Sequence, residues 1–151
     1  MRTVLFQIEA VAVPHVNERI GLSAEQMERV GGSVVDALRE RTEWALDAHD
    51  RPMEPLSKQY KRRKQRKGGN PIRDLRMTGR TMRALRVEEA TEDEFTVGFG
   101  GDNTAKKRAH FQHLFHGFFG VSLADARAID RTIDAVHEEI VENAVEGRRP
   151  R

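Results

Sequence analysis

Apolar positions along this chain recur at two intervals, and each change of interval marks a new element. In "TVLFQIEAVAV", Val4, Phe6 and Ile8 alternate with Leu5, Gln7 and Glu9. This is the period of two of a strand with one wetter face, ended by Pro14. The interval then lengthens. Met27, Val30, Val34, Leu38, Trp44, Ala45 and Ala48 recur near helical spacing. Ser23 and Gln26 stand three apart ahead of them as a capping box, so a long amphipathic helix is predicted over 23–49. Gly31 and Gly32 fall inside it. Each costs about 1 kcal/mol against alanine in a helix, so the pair marks either a break recapped by Ser33 or a close approach of another element.

Past Pro52 and Pro55 the apolar signal stops. "KQYKRRKQRKGGNP" has no aliphatic residue after Leu56 and ends on a Gly-Gly-Asn-Pro turn. It has no face to bury, which predicts an exposed loop over 51–71 or a solvated helical turn. After it, Met82 and Leu85 fit one side of a short helix, with Arg76, Arg80 and Arg83 on another. Val87–Ala90 and Phe95–Phe99 read as two strands turning at "TED", with Phe95, Val97 and Phe99 on one face. "AKKRAHFQHLFHGFFG" predicts a short buried helix ending near Gly117. Ser122 and Asp125 cap a last long helix with a stripe of Leu123, Ala126, Ile129, Ile133, Val136, Ile140 and Ala144. The sum is an α+β fold: a small antiparallel sheet, made of the N-terminal strand and a hairpin near 86–100, packed with two long helices and short connecting ones. One domain over 1–147 is expected, followed by a disordered basic tail at 148–151.

Charge changes this picture. The net charge of +2 conceals segments of −4 (1–54), +11 (55–87) and −5 (88–151). The middle segment creates a local field that attracts phosphates or acidic protein surfaces. Its candidate contact residues are Lys58, Lys61, Arg62, Arg63, Lys64, Arg66, Lys67, Arg76, Arg80 and Arg83. Three readings stand side by side: sequence-independent binding of nucleic acid through 58–67, a merely solvated loop, and docking onto an acidic surface of a neighbouring subunit. Tyr60 is the segment's one aromatic, so a stacking platform for single strands is not expected.

Composition narrows the chemistry. Of 151 residues, 38% are hydrophobic and 33% charged, a low apolar share that favours burial against copies or partners. No cysteine is present, which removes disulfides, thiolate metal sites and cysteine nucleophiles. The opening residues lack a signal-peptide pattern and no apolar run is long enough for a membrane span, so a soluble protein made inside the cell, without membrane contact, is expected. His110, His113 and His116 are the best metal candidates, but the third drifts off the shared helix face and no nearby carboxylate completes a set. Aromatic packing accounts for them better. Asp74 alone interrupts the basic patch, Ser33 and Ser122 lack a base, and Gly98–Gly101 lacks the lysine of a phosphate loop. The expectation is a protein with no catalytic residue, cofactor or metal.

Four stretches carry a family resemblance. "PMEPLSKQYKRRK" with Pro55, Leu56, Ser57 and Tyr60, "IRDLRMTGRTMRALRV" with Ile72, Leu75, Thr78, Gly79, Met82 and Leu85, "FTVGFG", and "FFGVSLADARAID" with Phe119, Gly120, Ser122 and Asp125 follow in order. Together they resemble the bacteriophage virion-morphogenesis or tail-completion family. "HLFHG" departs from the family's His-Gln-x-Gly spacing, and Arg76 and Met77 are additional residues before the Thr-Gly pair. The resemblance implies a structural protein of the head-tail junction, located in the virion and assembled in the host cytoplasm. It further implies a homo-oligomeric, sixfold ring that caps the tail tube and docks the head connector, with DNA passing through its channel.

Overall fold

A computed structural model describes residues 21–75 and 79–147. The expected N-terminal strand, Arg76 and the tail at 148–151 lie outside the described residues. Five helices and one hairpin follow in the order α1 (Ala24–Glu43), α2 (Lys58–Arg66), α3 (Arg80–Ala84), β1 (Arg86–Ala90), β2 (Phe95–Gly98), α4 (Asn103–His116) and α5 (Leu123–Glu146). This is the α+β class read from the sequence, with two long helices packed on a two-stranded antiparallel sheet.

Helix α1 begins on the capping box, with the Ser23 hydroxyl accepting from Gln26 N and the Gln26 amide oxygen accepting from Ser23 N. It runs through Gly31 and Gly32 without a break. A Cβ at Gly31 would lie 2.9 Å from Val87 Cγ2 and 3.0 Å from Phe95 Cδ2, whereas one at Gly32 would meet nothing. Gly31 is therefore the point where the hairpin presses onto α1. The helix stops at Glu43, six residues before His49, which bounded the predicted helix. Ala45 takes a left-handed φ of 56°, and the Asp47 carboxylate collects Arg51 N, His49 N and the Arg51 guanidinium into a tight loop. These local hydrogen bonds satisfy the backbone better there than another helical turn with no face to bury. Trp44, assigned by periodicity to the apolar stripe, is 72% exposed.

The hairpin pairs Arg86 with Gly98, Val87 with Val97, Glu89 with Thr96 and Ala90 with Phe95, with a register shift between Val87 and Glu89. Thr91 builds its turn, the hydroxyl accepting from Asp93 N and Glu94 N. Val97 and Phe99 enter a core formed by Val30, Val34, Val35 and Leu38 of α1, Met82 and Leu85, Ala105 and Ala109 of α4, Phe118, and Ile129 and Ile133 of α5. A smaller cluster of Leu22, Met27 and Val136 continues it toward the start of α1.

Helix α5 also starts on a capping box, Ser122 with Asp125. Its carboxylate does more than cap. Asp125 forms a buried ion pair with Arg41 near the end of α1, and the other arm of Arg41 donates to Phe118 O at 2.5 Å and Gly120 O at 2.8 Å. At the opposite end Arg29 meets Glu139 at 2.6 Å on the surface, so α1 and α5 run antiparallel. The predicted apolar stripe of α5 is buried only at its middle: Ile129, Ile133 and Val136 are inside, while Leu123 and Ala144 are exposed.

Helix α4 departs most from expectation. It ends at Gly117, as read, with φ 54° and Gly117 N donating to His113 O. It is not a buried helix. Its small residues Ala105 and Ala109 face the core, while Phe111, Leu114 and Phe115 are 59%, 65% and 65% exposed. The space between α4 and its neighbours admits alanine, so the large side chains fall on the other side.

Two stability measurements test these contacts. Arg41→Met leaves Asp125 buried and unpaired and is expected to cost about 3–5 kcal/mol in urea denaturation. Gly31→Ala forces Val87 and Phe95 apart and is expected to destabilise by about 1–3 kcal/mol, whereas Gly32→Ala gains helix propensity and stabilises by up to about 1 kcal/mol.

Candidate functional site

The basic run, expected as a loop or a single turn, is a nine-residue helix. Lysine, arginine and glutamine are good helix formers, and the Ser57 hydroxyl caps the start by accepting from Tyr60 N at 3.3 Å. What α2 lacks in apolar residues it replaces with Lys64. That side chain is 2% exposed, its ammonium paired with the buried carboxylate of Asp74 and donating to Ile72 O at 2.8 Å. A buried ammonium is tolerated only when paired and hydrogen-bonded, and here it is both. The Gly-Gly-Asn-Pro turn makes room for it: a Cβ on Gly69 would lie 2.8 Å from Lys64 Cγ. Lys64 therefore leaves the set of outward-facing candidates, because its charge is spent on Asp74 inside the fold.

The remaining candidates divide by position. Lys58, Arg62, Arg63, Arg66 and Lys67 are exposed, and Lys61 is half-buried. Arg80 turns sideways into a two-pronged pair with Asp102, at 2.7 and 3.1 Å. Asp102 is also the N-cap of α4 and accepts from Thr104 N and Ala105 N. The Arg80 hydrogen bond, with the backbone bonds, holds its carboxyl down at about 2. Arg83 is exposed on α3.

Between α2, the chain at 72–75 and α4 lies a cleft of about 630 Å³. Its lining includes Arg63 of α2 and Lys67 at its C-cap, Arg73, Arg80, and Arg108 of α4, with Leu56, Ile72 and Leu75 as apolar wall and Tyr60 and Gln112 at its sides. No carboxylate lines it among the described residues. Asp74 behind it and Asp102 beside it are both engaged by cations. Such a concave, one-signed surface creates a field that attracts anionic groups such as phosphates or carboxylates. Arg73 and Arg108 belong to this surface but were not singled out from the sequence. Arg73 lies within the +11 segment, a usable signal, but Arg108 is 25 residues beyond Arg83 in the chain and only the fold brings it here.

The histidines of α4 serve the fold separately. His113 Nδ1 accepts from Phe119 N at 3.2 Å, and burial, then the neighbouring His110, lowers its pKa. His116 Nε2 accepts from Arg73 at 2.8 Å, and its pKa is lowered by burial first and Arg73 second. Arg73 is held further by Glu54 O at 2.6 Å. Among the described residues no group of three His, Asp or Glu side chains is placed to hold a metal ion. No described helix is long and apolar enough to cross a membrane.

The Arg80–Asp102 pair gives a pH signature. A carboxyl held below its unfolded value contributes stability that is complete above about pH 4 and is lost as pH falls toward 2. In Asp102→Asn, which keeps the side-chain oxygen for the cap, thermal stability is expected to lose less between pH 4 and pH 2 than in the parent chain, as followed by circular dichroism.

A scan of protein-family models, a search of curated proteins and a search of solved structures each return no match to this chain.

Proposed function

We propose that the protein is a structural subunit of a phage head-tail junction, a tail-completion or neck protein that forms a ring at the tail end and joins tail to head. The observation that carries the reading is the α4 surface. Phe111 and Phe115 pack with ring centroids 4.8 Å apart and their planes tilted by 50°, and Leu114 lies beside them, all three largely in solvent. Aromatic side chains gathered on one exposed helix face are the usual core of a subunit contact. Segregated charge supports the same reading, because a basic face on one side of a subunit and an acidic helix on another favour association between copies. The ordered family-like segments of the sequence supply the particular assembly: copies of itself in a ring, the tail tube below and the head connector above.

A second reading rests on the cleft. Five cations besides Lys64 line it, so non-specific nucleic-acid binding through the 58–67 helix is the alternative, either as the protein's main task or as contact with DNA in the ring's channel.

Mass measurement by light scattering separates them. The parent chain is expected to run as a ring-sized oligomer at tens of micromolar, and Phe111→Asp with Phe115→Asp to run as a monomer with a melting temperature within a few degrees of the parent. A parent chain that stays monomeric, binds duplex DNA with a steep salt dependence and does not attach to purified tails would sink the assembly reading.

A further inference from the structure

The cleft has a counterpart in charge on the same chain. From Thr132 to Glu146, α5 carries five acidic residues and no lysine or arginine. Asp134, Glu138 and Glu142 follow at intervals of four, and so lie along one ridge on the side away from Ile129, Ile133 and Val136. All three are exposed. Beside them Val141 and Val145 are 53% and 56% exposed. Among the described residues neither these three carboxylates nor Arg63, Lys67 and Arg108 have an ion-pair partner.

We infer that this outer ridge of α5 docks in the basic cleft of a second copy, head to tail. The inference rests on the ring reading and gives it a contact. Arg63 of α2 and Lys67 at its C-cap are four apart, as Glu138 and Glu142 are on α5, so both pairs repeat every 6 Å or so along their helices. Two helices side by side present matched charges at that spacing, and the valines meet the apolar wall of Leu56, Ile72 and Leu75.

Cleft and ridge sit on different elements of one subunit: α5 packs on α1, and the cleft is formed by α2, α4 and the chain between α2 and α3. When the ridge of one copy enters the cleft of the next while its own cleft takes a third copy's ridge, the contact is heterologous, the type that propagates from copy to copy and closes into a ring when the rotation allows. Because it is largely ionic it weakens with salt.

The test uses two charge-reversed full-length proteins, Arg63→Glu with Lys67→Glu, and Glu138→Lys with Glu142→Lys, whose folding is checked by circular dichroism. At 50 mM salt the parent is expected to assemble and each variant alone to fall to monomer in light scattering. An equimolar mixture is expected to regain the parent mass, since each reversed cleft then meets a reversed ridge. Should a reversal misfold, the Gln versions of the same positions are expected to weaken assembly at least tenfold in midpoint concentration. Variants that assemble like the parent, or a mixture that stays monomeric, overturn this contact while leaving the ring reading intact. A monomeric parent overturns both. Loss of duplex DNA binding in the cleft variant with assembly unchanged overturns the contact in favour of nucleic acid.

Discussion

The arrangement of the long helices depends on one buried ion pair. Arg41 sits near the last turn of α1 and reaches three partners that are remote in sequence: the Asp125 carboxylate, Phe118 O and Gly120 O. Asp125 is committed in turn to the N-terminus of α5, where it accepts from Ser122 N. One guanidinium thus fixes where α1 ends, where α5 begins and how the Phe118–Gly120 segment passes between them. Burial lowers the pKa of Arg41, with Asp125 as the main opposing influence, which expresses the cost of removing this charge from water. A hydrophobic pair of similar volume would hold the helices together as well. It would not define their register, because methyl groups slide and a forked donor between a carboxylate and two carbonyls does not.

The basic helix repeats the same device with other residues. α2 has no apolar face, and Lys64 with Asp74 replaces one. A single buried attachment is enough to orient nine residues, because the glycine turn behind Lys64 and the cap at Ser57 fix both ends. The consequence reaches the surface. With Lys64 turned inward, Arg63 and Lys67 must point toward α4, and the cleft is the space this orientation leaves.

What was legible in the sequence was local. Both capping boxes, the hairpin with its Thr91 turn and the glycine end of α4 are each specified by residues a few positions apart, and all stand where the pattern placed them. The features that were missed depend on competing local hydrogen bonds or on partners far along the chain. Periodicity assigned Trp44 to a buried stripe, because it does not register that Asp47 captures the chain and ends the helix. Aromatic density suggested a buried α4, but burial depends on the width of the gap, and this gap takes Ala105 and Ala109. Asp125 was legible as a cap and Arg41 as nothing in particular, because their pairing spans 84 residues. The cleft was half legible: its charge from the +11 segment, its shape only from the fold.

These internal uses of charge bear on why the surface is as it is. A chain with 38% hydrophobic residues has few large side chains to spare, yet Trp44, Phe111, Leu114, Phe115 and Leu123 are all more than half exposed. The fold anchors α2 and α5 with Lys64–Asp74 and Arg41–Asp125, fills its core with Phe99 and Phe118 among others, and leaves these five large side chains in solvent. Ion pairs set positions within the chain, where geometry is guaranteed by covalent connection. Apolar area left in solvent is worth about 25 cal/mol per Å² when removed from water and is indifferent to direction, so any partner that covered these side chains would add affinity to a contact whose register charged groups set.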